Sequence, residues 1–94
     1  MRTKERETGN LADVREFLEI GWSFENVQQL FGKSRNELLA DIAEMGYGSY
    51  NEFKEQNIYQ DYKKGMSVGF IAIKWQRKPK TIANIIRKMK KMEE

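Results

Sequence analysis

The segment that opens at Gly21 is restated 44 residues later, opening at Gly65. Gly21-Trp22-Ser23-Phe24 aligns with Gly65-Met66-Ser67-Val68, and the apolar positions beyond stay in register: Val27 with Ile71, Phe31 with Trp75, Leu38 with Ile82, Ile42 with Ile86, Met45 with Met89. Residue identities change while the pattern is kept, so what recurs is a way of packing. A chain of 94 residues built this way has room for one compact domain, or for two very small units leaning on each other, and none for a deep catalytic cleft between lobes. Each copy reads as helix, tight turn, helix.

Periodicity and end signals place six helices, and no stretch shows the sustained alternation of a strand. The expected fold class is all-α: six helices forming two tandem three-helix helix-turn-helix units. Asn10 followed by Leu11, Val14, Phe17 and Leu18 predicts a first amphipathic helix that stops at Gly21. Ser23 caps a second, Phe24 to Phe31, closed by Gly32. Ser34-Arg35-Asn36-Glu37 has the form of a capping box and opens a third that runs to Met45, with Leu38, Leu39, Ile42 and Met45 inward. After Gly46-Tyr47-Gly48, a second such box, Ser49-Tyr50-Asn51-Glu52, predicts a helix from Tyr50 to about Lys64. Ser67 caps a fifth, Val68 to Trp75. Pro79 suits the first turn of a sixth, which reaches about Met92 with Ile82, Ile85, Ile86 and Met89 inward.

The expected organisation is a flexible N-terminal tail over residues 1–9, an acidic first unit over 10–46 and a basic second unit over 49–92, with Glu93-Glu94 as a solvated tail. Units of about 40 residues bury little core alone, so they are expected to pack together or the chain to dimerise. Tyr47, Tyr50, Phe53 and Tyr59 are the aromatics placed to join them, or else ordinary core. Trp22 is expected as a staple across the first helix junction, and the five methionines as filling.

Neither cysteine nor histidine occurs, which removes disulfides, thiol nucleophiles, the usual zinc ligands and histidine acid-base chemistry together. No nucleophile, base and orienting group fall at a recognisable spacing, so the expectation is a protein that is no enzyme, with no cofactor and no small-molecule substrate. The apolar runs are short and Met1 to Asn10 is charged. A cytoplasmic protein with neither secretory signal nor membrane span is expected.

Net charge is +3, and its distribution is more informative than its sum. Met1 to Tyr50 carries 6 Lys and Arg against 9 Asp and Glu, whereas Asn51 to Glu94 carries 11 against 5. The second copy is the one suited to approach phosphate.

From Ile71 to Ile86 the chain resembles the helix-turn-helix of insertion-sequence transposases, resolvases and sigma-factor region 4. The residues that carry the likeness are Ala72, the small residue over which the second helix crosses, Trp75 three positions on, and Ile82 and Ile85 on the inner face of the last helix. Gln76 departs from it, because that family usually places a glycine of positive φ at the turn. The likeness covers about 22 residues, Gly65 to Ile86, with a fainter echo in the first copy.

The resemblance implies a double-stranded DNA partner, read in the major groove by the last helix. With the isoleucines inward, Lys78, Lys80, Thr81, Asn84 and Arg87 are the expected base contacts: the Asn84 amide to adenine, the Arg87 fork to guanine, Thr81 to a phosphate or thymine methyl. Ser67, Lys74, Arg77, Lys88, Lys90 and Lys91 are the expected phosphate contacts. The bland reading of the same residues is the solvated face of a terminal helix.

The first copy departs more. Gln28 stands in place of the small crossing residue and Asp41 in place of an inward apolar one, while Glu37, Asp41 and Glu44 make its third helix acidic. Gly32 and Leu38 fit. Lys33, Arg35 and Asn36 are left as a second DNA or partner surface. The function these residues predict is a sequence-specific DNA-binding protein, a small transcriptional regulator of phage or mobile-element type, with the first copy serving a homodimer or an RNA polymerase contact. Two alternatives use the same residues: an adaptor that modulates RNA polymerase through the acidic copy, and a small terminase-like DNA-recognition subunit, which is expected to need an oligomerisation segment in addition.

Overall fold

Asn10, Ser23, Ser34 and Ser67 each turn a side-chain oxygen onto the backbone N–H three residues ahead, accepting from Asp13, Asn26, Glu37 and Phe70 at 2.9, 3.1, 3.1 and 3.2 Å. Each satisfies one orphan donor of a helix start, a contribution of about 1 kcal/mol. At Ser34 the box is closed in both directions, since its own backbone N–H donates to Glu37 Oε1 at 2.8 Å. These caps set the starts of four of the six helices in the computed structural model: α1 (Leu11–Glu19), α2 (Phe24–Phe31), α3 (Arg35–Glu44) and α5 (Val68–Trp75), with α4 (Tyr50–Lys63) and α6 (Pro79–Glu93) completing the order. Residues 10–93 are described, and the tail expected over 1–9 lies outside them. The fold is all-α, with no strand among the described residues, and no described helix is long and apolar enough to cross a membrane.

The 44-residue repeat is a repeat of backbone structure. α2 and α5 have identical lengths at that offset, and α3 and α6 start at it. The hydrogen bonds of the connections recur pair by pair: Trp22 N to Phe17 O with Met66 N to Asp61 O (both 3.1 Å), and Lys33 N to Gln28 O with Arg77 N to Ala72 O (3.0 and 2.9 Å). Gly21 and Gly65 share φ of 104° and 105°. Gly32 ends α2 in the left-handed region at φ 62°, and Gln76 ends α5 there at φ 56°. Gln76 is the only described non-glycine residue with positive φ, so the turn keeps its conformation although its usual residue is missing.

The chain divides into two compact units, Met1–Tyr50 and Asn51–Glu94. The division falls after Tyr50, a little beyond the expected junction at 46–49, because the Tyr50 ring packs on Phe24 of the first unit at 4.9 Å. Val14, Val27, Leu38 and Ile42 are buried in the first unit, and their repeat equivalents Ile58, Ile71, Ile82 and Ile86 in the second. Leu39, Met45, Ile85 and Met89, expected inward, are half-buried at the edges of these cores. Trp22 sets its ring edge against Phe17 at 4.8 Å, the staple the sequence suggests.

One core position differs in kind between the copies. In the first unit Phe17 meets Phe31 edge to face at 5.6 Å. In the second the equivalents are Asp61 and Trp75, and the buried Asp61 carboxylate accepts from Trp75 Nε1 at 2.9 Å and from Lys74 Nζ at 2.8 Å. A buried carboxylate needs such partners, and both come from the last turn of α5.

The end of α6 corrects an expectation. Glu93 is exposed but not free: its carboxylate accepts from Tyr59 Oη at 2.6 Å and from Lys63 Nζ at 2.8 Å, tying the last turn of α6 to α4, while Glu94 lies outside the described residues. Phe53 and Tyr59, placed in sequence near the junction, are core residues of the second unit.

Candidate nucleic-acid interface

α6 holds its two faces apart by spacing alone. Ile82 and Ile86 are buried, with Ile85 and Met89 flanking them, whereas Lys80, Asn84, Arg87 and Lys91 recur at three- and four-residue intervals and form one exposed line. Thr81 and Lys88 lie beside that line, and Lys78 just ahead of the helix; all are exposed. The five expected base-contact residues are therefore all exposed, with Lys80, Asn84 and Arg87 on one line. Of the positions that carry the resemblance, Ala72, Trp75 and Ile82 are buried and Ile85 is half-buried.

Within the line, Arg87 Nη1 donates to Asn84 Oδ1 at 3.0 Å. One of the amide oxygen's two lone pairs is thereby taken, and the bidentate contact expected with adenine would have to use the other.

The expected phosphate contacts fall into two groups. Arg77, Lys90 and Lys91 are exposed, and Lys90 Nζ sits 5.0 Å from the Tyr62 ring centroid. Ser67 Oγ accepts the cap bond from Phe70 N, which leaves its hydroxyl hydrogen to donate elsewhere. Lys74 and Lys88 are ion-paired instead. Lys74 lies against the buried Asp61, and Lys88 Nζ meets Glu55 Oε2 at 2.7 Å. Lys74 is the deeper, with its side chain 19% exposed, and its part is to neutralise Asp61.

In the first unit the surface offered by Lys33, Arg35 and Asn36 is broken up. Lys33 Nζ lies 2.8 Å from Asp41 Oδ2, off hydrogen-bond geometry, so the contact is electrostatic, and both side chains are largely buried. Arg35 is stacked 5.5 Å over the Phe24 ring, and Asn36 is exposed. Asp41, which replaces an inward apolar residue, is thus the counter-charge of the turn lysine. Gln28, in place of the small crossing residue, reaches back to the Lys33 carbonyl at 3.5 Å.

A residue absent from the sequence-based set joins the second unit's surface. Lys54 of α4 lines a cleft with Arg77 and Thr81. The repeat carried the signal, because Lys54 occupies the register position of the cap residue Asn10. Compared with known protein families, curated proteins and solved structures, the chain matches none.

Proposed function

We propose that the protein is a sequence-specific double-stranded DNA-binding protein, a small transcriptional regulator that reads the major groove with α6. The observation that carries this reading is the division of α6: isoleucines inward, and a continuous outward line of Lys80, Asn84, Arg87 and Lys91 with no carboxylate in it. A surface of that kind offers donors to base edges and cations to flanking phosphates. Lys78, Lys80, Thr81, Asn84 and Arg87 are the base-reading residues, and Ser67, Arg77, Lys90 and Lys91 the backbone contacts. The Gln76 turn supports the same reading, since a conformation that disfavours glutamine is retained where α6 must leave α5 at a set angle.

The first unit, acidic and with Ile20 and Leu30 exposed, serves protein contact in this scheme, with a second copy or with RNA polymerase. The adaptor alternative is less well supported, because Glu37 and Asp41 are engaged within the unit itself.

The test is binding to random-sequence duplex across a salt series, followed by selection of preferred sites. With three phosphates neutralised by Arg77, Lys90 and Lys91, log K should fall against log salt with a slope of about −2.7. Absence of any duplex binding at low salt would end the proposal.

A further inference from the structure

Where α4, α5 and α6 of the second unit meet lies a cleft of about 250 Å³. Its apolar part is made by Val68 of α5 and by Ala83 and Ile86 of α6, with the Tyr62 ring of α4 beside them. Arg87 and Lys90 of α6 complete the lining, and no carboxylate belongs to it. The contacts that place these two cations are with neutral groups. Arg87 Nη1 donates to the Asn84 amide oxygen at 3.0 Å, and Lys90 Nζ stands 5.0 Å from the Tyr62 ring centroid. Neither has a carboxylate partner among the described residues. An apolar cavity of roughly 150 Å³ already admits a benzene ring, so the cleft has room for an aromatic ring with a substituent.

The first unit shows that such a recess is no requirement of the fold. The register equivalents of Tyr62, Val68, Ala83, Ile86, Arg87 and Lys90 are Leu18, Phe24, Leu39, Ile42, Ala43 and Gly46. A phenyl ring has given way to valine and an isobutyl chain to alanine, which withdraws side-chain volume at two lining positions. In the first unit that phenyl ring is covered, with the Tyr50 ring 4.9 Å away and the Arg35 guanidinium 5.5 Å over it. Arg87 replaces Ala43, and α6 runs on past the register position at which α3 ends, which brings in Lys90. α2 and α5 keep the same serine cap, length and left-handed closing residue, so the opening comes from the side chains and not from a shift of the backbone. The changes act together: apolar volume leaves the recess, and two cations arrive at it.

We propose that this cleft binds a small aromatic carboxylate, its ring against Val68, Ala83, Ile86 and the face of Tyr62, its carboxylate against the Arg87 fork and the Lys90 ammonium. The apolar lining sets the ring and the uncompensated cations set the charge; a guanidinium matches a carboxylate with two parallel hydrogen bonds. Arg87 also belongs to the outward line of α6, so an occupied cleft draws it away from base contact and the ligand opposes DNA. That consequence rests on the duplex-binding reading above; the site itself does not.

The test titrates the full chain with benzoate, with benzamide as the uncharged ring and acetate as the ringless anion, and follows the methyl signals of Val68, Ala83 and Ile86 and the ring signals of Tyr62 by NMR. Benzoate is expected to shift these four residues, and benzamide and acetate to bind roughly tenfold more weakly or worse. Ala83→Leu, which returns the first unit's side chain, should close the site, and Arg87→Gln or Lys90→Gln should weaken benzoate roughly tenfold. The two glutamine variants change exposed residues and carry the test should Ala83→Leu disturb folding. Benzoate that leaves the four residues unmoved, or benzamide that binds as well as benzoate, or glutamine variants that bind benzoate unchanged, would each overturn the site. A parallel series measures duplex binding with and without benzoate, and weaker duplex binding in its presence is expected. If benzoate titrates the cleft and no duplex binds at low salt, the site stands and the DNA reading falls. If duplex binds and the cleft takes no benzoate, the site is overturned and the DNA reading stands.

Discussion

Arg87 and Asn84 sit one turn apart on the exposed side of α6 and share a hydrogen bond of 3.0 Å from Nη1 to Oδ1, which takes one of the amide oxygen's two lone pairs. Guanine presents two acceptors, O6 and N7, on its major-groove edge, whereas adenine presents one acceptor and one donor. With that lone pair taken, the pair offers more donors than acceptors, which favours guanine. Sites selected from random duplex should carry a guanine opposite this pair, and replacing that guanine by its 7-deaza analogue should weaken binding. Arg87→Ala should cost about 1–3 kcal/mol on the selected site and little on random sequence. Selection of adenine there would show that the Arg87–Asn84 bond does not set the preference, and equal losses on both kinds of DNA would remove the base-reading role.

Gln76 holds a backbone conformation that its repeat partner Gly32 adopts without strain. Gln76→Gly should raise the stability of the second unit by up to about 1 kcal/mol, part of the relief being offset by the greater freedom of glycine in the unfolded chain. The exposed Gly32 has open space around its missing Cβ, so Gly32→Ala tests the φ requirement without a clash and should cost about 1 kcal/mol. Urea unfolding of each variant reads the sign directly. A stabilising Gly32→Ala would show that the left-handed turn is not required.

Asp61, Lys74 and Trp75 form a buried charge-assisted cluster where the first unit has Phe17, Leu30 and Phe31. Removing the carboxylate leaves an ammonium and an indole N–H without their acceptor, so Asp61→Ala should destabilise the second unit by about 2–4 kcal/mol. Transplanting the first unit's solution, Asp61→Phe with Lys74→Leu and Trp75→Phe, should recover most of that loss, because apolar packing often replaces a buried ion pair at no net cost. A triple variant no more stable than Asp61→Ala would show that the shape of the site, and not only its charge, differs between the copies.

What could be read from the chain in advance follows from the range of the interactions concerned. α2 and α5 were legible to the residue, because a serine cap at one end and a left-handed residue at the other are local signals only a few positions from what they control. The exposed line of α6 was legible for the same reason, since it needs only helical spacing. The pairing of charges was not. Lys74 with Asp61, Lys88 with Glu55 and Lys63 with Glu93 are separated by 13, 33 and 30 residues, and no local pattern marks them. They changed which lysines face outward unpaired with a carboxylate and which do not. The repeat held more than its apolar register suggested: reading its differing positions against each other, Leu39 against Ala83 and Phe17 against Asp61, leads to both the cleft beside Arg87 and the buried cluster.

Glu93 links the end of α6 to α4 by accepting from Tyr59 and Lys63, and the pH range of that link follows from the two shifts it produces. The Lys63 ammonium first, then the Tyr59 hydroxyl, holds the Glu93 carboxyl below its ordinary 4.5. Bonding to Glu93, assisted by desolvation, pushes the Tyr59 phenol up from 10.0 to about 12. For the carboxylate, whose folded value is depressed, the stabilising contribution is present above 4.5 and is lost as pH falls through the lower folded value. For the phenol, whose folded value is raised, the contribution is present below 10.0 and is lost as pH rises through about 12. The last turn of α6 should therefore be held across the neutral range and released at both extremes. An ultraviolet titration should resolve one of the four tyrosines ionising late, and Glu93→Gln should bring it back toward 10.0. Tyr59→Phe should remove the late component altogether, while amide exchange in the residues before Glu93 quickens. A late component that survives Tyr59→Phe would place the perturbed phenol elsewhere and leave the end of α6 without this tether.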